Sequence, residues 1–99
     1  NAELAFRAVL RQNPQNPSAC FLLGKVLSTN NATIPEAISL YSKGLSLMPS
    51  NFQAYIDLGN LYLKIGNTQN AISEFEKALG LNPDAQNLRT QIEKLKQGL

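Results

Sequence analysis

Histidine is absent from the sequence, and cysteine occurs once, at position 20. Without histidine the commonest general base and metal ligand is missing. A single cysteine cannot close an intrachain disulfide, which excludes a disulfide-stapled secreted scaffold. With no histidine to activate it, Cys20 cannot serve as the thiolate of a cysteine-protease pair either. Charge is sparse: 16% of residues are charged, and nine basic against seven acidic side chains leave a net of +2. So weak and dispersed a balance gives no reason to expect nucleic acid or anionic lipid as a partner. No apolar run approaches the roughly 20 residues that a membrane-spanning helix needs. No charged-then-apolar N-terminal stretch marks a signal peptide.

Phosphate-binding chemistry is also missing, since Gly24-Lys25 is followed by Val26 and no glycine stands five before Gly24. The carboxylates Glu3, Glu36, Asp57, Glu74, Glu76, Asp84 and Glu93 are scattered and read as exposed helix faces or caps. Glu74 and Glu76 are two apart and do not face each other on a helix. The expectation is therefore no catalysis, no cofactor and no metal. Asn31-Ala32-Thr33 matches the N-glycosylation acceptor pattern but reads as an ordinary polar loop. The cytoplasm is the expected compartment, with the periplasm as the alternative.

What the sequence does contain is self-similarity. Gly24 and Gly59 stand 35 apart, each after a leucine. Ala2, Ala37 and Ala71 are spaced by 35 and then 34, as are Phe6, Tyr41 and Phe75, Leu10, Leu45 and Leu79, and Pro14, Pro49 and Pro83. In a chain of 99 residues with 43% hydrophobic content a single compact core would be marginal, whereas stacked repeats bury each unit against its neighbour.

Each period reads as two helices. Asn16 caps a helix that opens with Pro17, Ser50 with Gln53 and Thr33 with Glu36 have capping-box spacing, and Pro35 sits in a first turn. Gly66-Asn67 is a stop followed by a start. Helices are predicted at about 2–12, 17–29, 34–47, 51–65, 68–80 and 85–97. Short connections make neighbours antiparallel, and no strand-like alternation competes. From Gly24 to Ala37 is 13 positions, and from Gly59 to Ala71 it is 12. The surplus falls in the polar stretch Ser28 to Ala32, read as loop.

These anchors resemble the tetratricopeptide repeat. Residues 52–85 fit closely, through Tyr55, Leu58-Gly59, Tyr62, Ala71, Phe75, Ala78 and Pro83. Residues 17–51 fit with departures: Cys20 replaces the aromatic, Leu27 the tyrosine and Gly44 the second alanine. Residues 1–14 look like only the second helix of a truncated repeat, with Ala2, Phe6, Val9 and Pro14 in place. The resemblance implies an all-α fold, an α-solenoid of antiparallel helix pairs. Residues 85–99 place Ala85, Leu88, Ile92, Leu95 and Leu99 on one stripe and Arg89, Glu93, Lys94, Lys96 and Gln97 on the other face. They resemble the solvating helix that closes such arrays, or else a degenerate first helix of a further repeat. A start inside a repeat is expected of a fragment of a longer array, whose exposed first helix could self-associate.

The resemblance further implies that first helices line a concave groove receiving a peptide or a partner helix. By position, the groove residues are Phe21, Lys25 and Ser28, then Gln53, Ile56, Asn60, Leu63 and Lys64. Helical spacing puts them on shared faces. Phe21 and Ile56 could equally extend the core, and Lys25 and Lys64 could be solvated charges. Some members clamp a C-terminal carboxylate with a lysine–asparagine–arginine cluster. Asn60 matches that cluster, but Ile56 stands where lysine is wanted, so a clamp is not expected on these repeats. The expected function is a protein-interaction scaffold whose partner has apolar anchors and some acidic character. The alternatives are an accessory region of a larger enzyme such as a glycosyltransferase, or a homo-oligomerising module.

Overall fold

The computed structural model describes residues 1–98; Leu99, expected on the apolar stripe of the last helix, lies outside them. Among the described residues there are six α-helices and no strand: α1 (Ala2–Gln12), α2 (Pro17–Leu27), α3 (Ile34–Leu47), α4 (Phe52–Lys64), α5 (Thr68–Leu81) and α6 (Gln86–Gln97). The chain folds as two compact units, residues 1–49 and residues from 50 onward. The architecture is the expected α-solenoid of helix pairs.

In the first unit α2 packs against both α1 and α3. Asn16 accepts a hydrogen bond on its side-chain oxygen from the Ala19 N–H at 3.1 Å, with Pro17 following in the first turn. Ala19, Cys20, Leu23 and Leu27 of α2 are buried, as are Ile34, Ala37, Tyr41 and Leu45 of α3. Gly24 makes the approach possible, because a Cβ there would lie 3.0 Å from the Tyr41 ring. Gly44, which departs from the repeat pattern, has its reason here: the Phe21 ring covers it so closely that a Cβ would meet ring carbons at 2.5, 2.8 and 2.9 Å. In the second unit the corresponding pair is Ile56 and Ala78, so a bulkier ring on one helix is matched by a smaller residue on the next. Between α2 and α3 the chain makes a 3₁₀ turn, Asn31–Thr33. Thr33 does not cap α3 with its side chain; its hydroxyl donates to the Leu27 and Asn30 carbonyls instead.

The second unit stacks α4 on α5 and α5 on α6. The cap of α4 is Asn51, whose side-chain oxygen accepts from Ala54 N–H at 3.1 Å, rather than Ser50 with Gln53. Asn51 has the extended backbone that a cap requires, and Gln53 is one helical turn from Asp57, to which its amide donates at 3.0 Å. Between α4 and α5 the chain reverses through Gly66, whose φ of 79° only glycine adopts readily. The Gly66 N–H bonds the Leu63 carbonyl and the Asn67 N–H bonds the Tyr62 carbonyl, closing α4 as a Schellman motif. Asn67 then caps α5 through Asn70 N–H.

The core of this unit gathers Ala71, Ile72, Phe75, Ala78, Leu88 and Ile92, with Phe52, Tyr55, Ile56, Tyr62, Leu63, Leu79, Ala85 and Leu95 packed around it. Each large side chain so buried contributes roughly 1.5–3 kcal/mol. The apolar stripe of α6 faces α5 as expected. One expectation fails: Glu74 is not on an exposed face but 9% exposed. It stands three residues from Ala71 and four from Ala78, on the inward stripe, and its carboxylate reaches Lys77 Nζ at 3.3 Å.

Candidate binding surface

On α2 and its C-cap the groove residues predicted from the sequence are spaced i, i+4 and i+7 but do different work. Phe21 is half-buried, its ring set over Gly44 and tilted against Tyr41 at a centroid distance of 5.9 Å. Its ring therefore joins α2 to α3. Lys25 is exposed, and Ser28 donates its hydroxyl to the Lys25 carbonyl at 2.7 Å, closing the helix end.

On α4, Ile56 and Leu63 are half-buried and lean on the core around Phe75, while Asn60 and Lys64 are exposed. Gln53, exposed one turn before Ile56, is held by Asp57. The structure thus brings Ile56, Asn60 and Leu63 together as one stripe with an apolar base and an amide rim. Ile56 also opens onto a cleft of about 350 Å³ between α4 and α6. Phe52, Ile56, Ala85 and Leu88 supply its apolar lining, and Asn82, Gln86, Asn87 and Gln91 its polar lining. Sequence reasoning missed Phe52 and the α6 carboxamides. A signal was available: the amides Gln86, Asn87 and Gln91 lie in the first half of the helix, whereas Glu93, Lys94 and Lys96 lie in the second.

A second recess, of about 450 Å³, lies in the first unit against Leu4, Leu10, Leu23 and Leu40, with Arg7, Arg11 and Glu36 at its edge. Arg7 is fully engaged there. Its Nη1 and Nη2 donate to the two oxygens of Glu36 at 2.9 and 3.2 Å, and its Nε donates to Glu3 at 3.0 Å. The hydrogen bonds to Glu36, then to Glu3, raise its already high pKa.

Cys20 is fully buried, and desolvation pushes its thiol pKa up, partly offset by the Lys43 ammonium, which leaves a packed side chain rather than a nucleophile. Among the described residues no group of three His, Cys, Asp or Glu side chains could hold a metal ion, and no helix is long and apolar enough to cross a membrane.

Among curated proteins none matches the chain. Solved structures do. The chain superposes on the MamA protein with a TM-score of 0.83 at 24% identity, covering 97% of this chain and about half (52%) of that one. It superposes on the first TPR of Spaghetti (RPAP3), bound to the HSP90 peptide SRMEEVD, with a TM-score of 0.83 at 18% identity, over 97% of this chain and 75% of that one. It is also similar to the O-GlcNAc transferase of Thermobaculum terrenum, with a TM-score of 0.76 at 26% identity, over 94% of this chain but 18% of the enzyme. Residues 52–85 match the family profile described as Tetratricopeptide repeat. Those residues are a tetratricopeptide repeat, set in a chain that folds as tetratricopeptide-repeat proteins do.

Proposed function

We propose that this chain is a protein-interaction scaffold that holds a peptide or helix of a partner against the first helices of its repeats. The observation that carries this is the α4 stripe, where the apolar Ile56 and Leu63 flank the exposed Asn60 and Ile56 leads into a cleft of about 350 Å³. Apolar surface beside exposed amides is what a peptide site needs, burying side chains while pairing main-chain polar groups. The peptide complex of Spaghetti supports the reading at the level of the fold. In this organisation residues 1–14 act as the second helix of a repeat, 17–51 and 52–85 as repeats, and α6 as a helix that covers α5. Gln53, Ile56, Asn60, Leu63 and Lys64 form the working face of the second repeat, and Phe21, Lys25 and Ser28 that of the first, with Phe21 serving chiefly to join α2 to α3.

The test is to select peptides from a random display library and measure their affinity for the native chain and for Ile56→Glu and Lys64→Glu. Ile56→Glu is expected to weaken binding tenfold or more, about 1.4 kcal/mol, with helical content unchanged. Selected peptides that bind both variants as tightly as the native chain refute the assignment. The likeness to the O-GlcNAc transferase favours a second reading, in which the same scaffold is an accessory region presenting protein substrates to a larger enzyme. The domains present in the full-length chain decide between the two.

A further inference from the structure

Resting on the reading of α4 as a working face, we infer that the cleft between α4 and α6 takes an extended, uncharged peptide segment anchored by one apolar side chain. On this inference α6 is a wall of the binding site as well as a cover for α5. The floor is apolar: Phe52 and Ile56 are half-buried and Leu88 is 6% exposed. The rim on α6 is made of the carboxamides of Gln86, Asn87 and Gln91. Among the described residues none of these three side chains makes an intramolecular hydrogen bond. A carboxamide offers both N–H donors and a carbonyl acceptor, the same pair a peptide group presents. An extended segment has main-chain N–H and C=O groups to pair with them, whereas a helix has already paired its own.

Charge selects against the obvious alternatives. No ionisable side chain lines the cleft. Of the cations of α6, Arg89 Nη2 bonds the Pro83 carbonyl at 2.7 Å, Lys96 Nζ pairs with Glu76 at 2.9 Å, and Lys94 is exposed in the last turn, outside the cleft lining. A carboxylate or ammonium entering the recess would lose hydration and meet no counter-ion. At about 350 Å³ the cleft lies near the small end of ligand sites, which suits a single anchoring side chain. The acidic character expected of the partner from Lys25 and Lys64 has no source here, since neither lysine lines the cleft.

The experiment uses the full chain, ¹⁵N-labelled, titrated with three end-capped peptides of about eight residues. One is neutral with a central leucine, and the others carry aspartate or lysine beside that leucine. The neutral peptide is expected to shift the amide signals of Ile56 and Leu88 and the side-chain amides of Gln86, Asn87 and Gln91. Its affinity is expected to change less than twofold between low and high salt, because no ion pair is screened. Gln91→Glu is expected to weaken it several-fold, and Lys43→Glu, at an exposed position on α3 outside the cleft lining, to leave it unchanged, with melting temperatures confirming that both variants fold. Tighter binding of the acidic peptide that fades with salt overturns the neutral chemistry and leaves the α4 face standing. Shifts at Asn60 and Lys64 without shifts at the α6 amides overturn the role of α6. An absence of shifts on α4 with all three peptides overturns both this inference and the reading beneath it.

Discussion

Replacing Gly59 by alanine puts the helix-pair geometry to a quantitative test. In isolation the change favours the helix, since alanine is better than glycine in a helix interior by about 1 kcal/mol. Here the added Cβ would lie 2.6, 2.9 and 2.9 Å from three carbons of the Phe75 ring. That ring is fully buried, in one core cluster with Ala71 and Ala78, so it has no solvent-facing side to move toward. Overpacking of this kind costs roughly 1–3 kcal/mol. With three sub-3 Å contacts on an immobile ring the upper half of that range applies, leaving a net loss of about 1–2 kcal/mol. For a domain of this size the melting temperature falls by roughly 5–15 °C. Gly80 is the internal control: it lies in α5 with nothing within 4 Å of a Cβ. There the same substitution is expected to stabilise by up to about 1 kcal/mol. Thermal unfolding followed by circular dichroism at 222 nm reads both. Phe75→Leu combined with Gly59→Ala should recover part of the loss, a non-additivity that only contacting residues show. A Gly59→Ala protein as stable as the native one, or a strictly additive double variant, refutes the account of why glycine stands there.

Gly44→Ala meets an even closer ring carbon, but Phe21 is half-exposed and can swing outward, so a smaller loss is expected than at Gly59, with Phe21→Ile restoring stability as Ile56 and Ala78 do in the other unit. Asn67→Ala removes the α5 cap and should cost about 1 kcal/mol, and Gly66→Ala, strained at a φ of 79°, a similar amount; urea unfolding midpoints check both. Cys20 should resist alkylation by iodoacetamide in the folded chain and react rapidly in denaturant, because its thiol is buried and its pKa raised. The raised pKa means that the folded chain keeps the thiol proton to higher pH than the unfolded chain. The resulting stability is fully present below the ordinary thiol value of about 8.5 and is lost as pH rises through the folded value. The stability difference between native and Cys20→Ala proteins should therefore narrow at alkaline pH, as read from urea unfolding at pH 7 and above 9.

The six helices were legible because glycine, alanine and an aromatic recur at intervals of 34 or 35 residues, and small residues opposite large ones are what close helix pairing demands. The caps were legible only in part. Asn16 and Asn67 are the caps their neighbours Pro17 and Gly66 suggest, but Asn51 takes the role that Ser50 and Gln53 had by spacing. Adjacent polar residues compete for a cap, and one residue's backbone angles decide the outcome. Glu74 escaped as a carboxylate expected in solvent, although its spacing from Ala71 and Ala78 already placed it inward.

From the sequence alone came the helix pairs, their order and the close contacts at Gly24 and Gly59, because those features are written in residues near each other or in a periodic rhythm. The partnership of Phe21 with Gly44, and the cleft joining Phe52 and Ile56 to amides some thirty residues further on, were decided only by tertiary packing. No local pattern states which faces of two separate helices will oppose each other; that is settled by the side chains that fill the space between them.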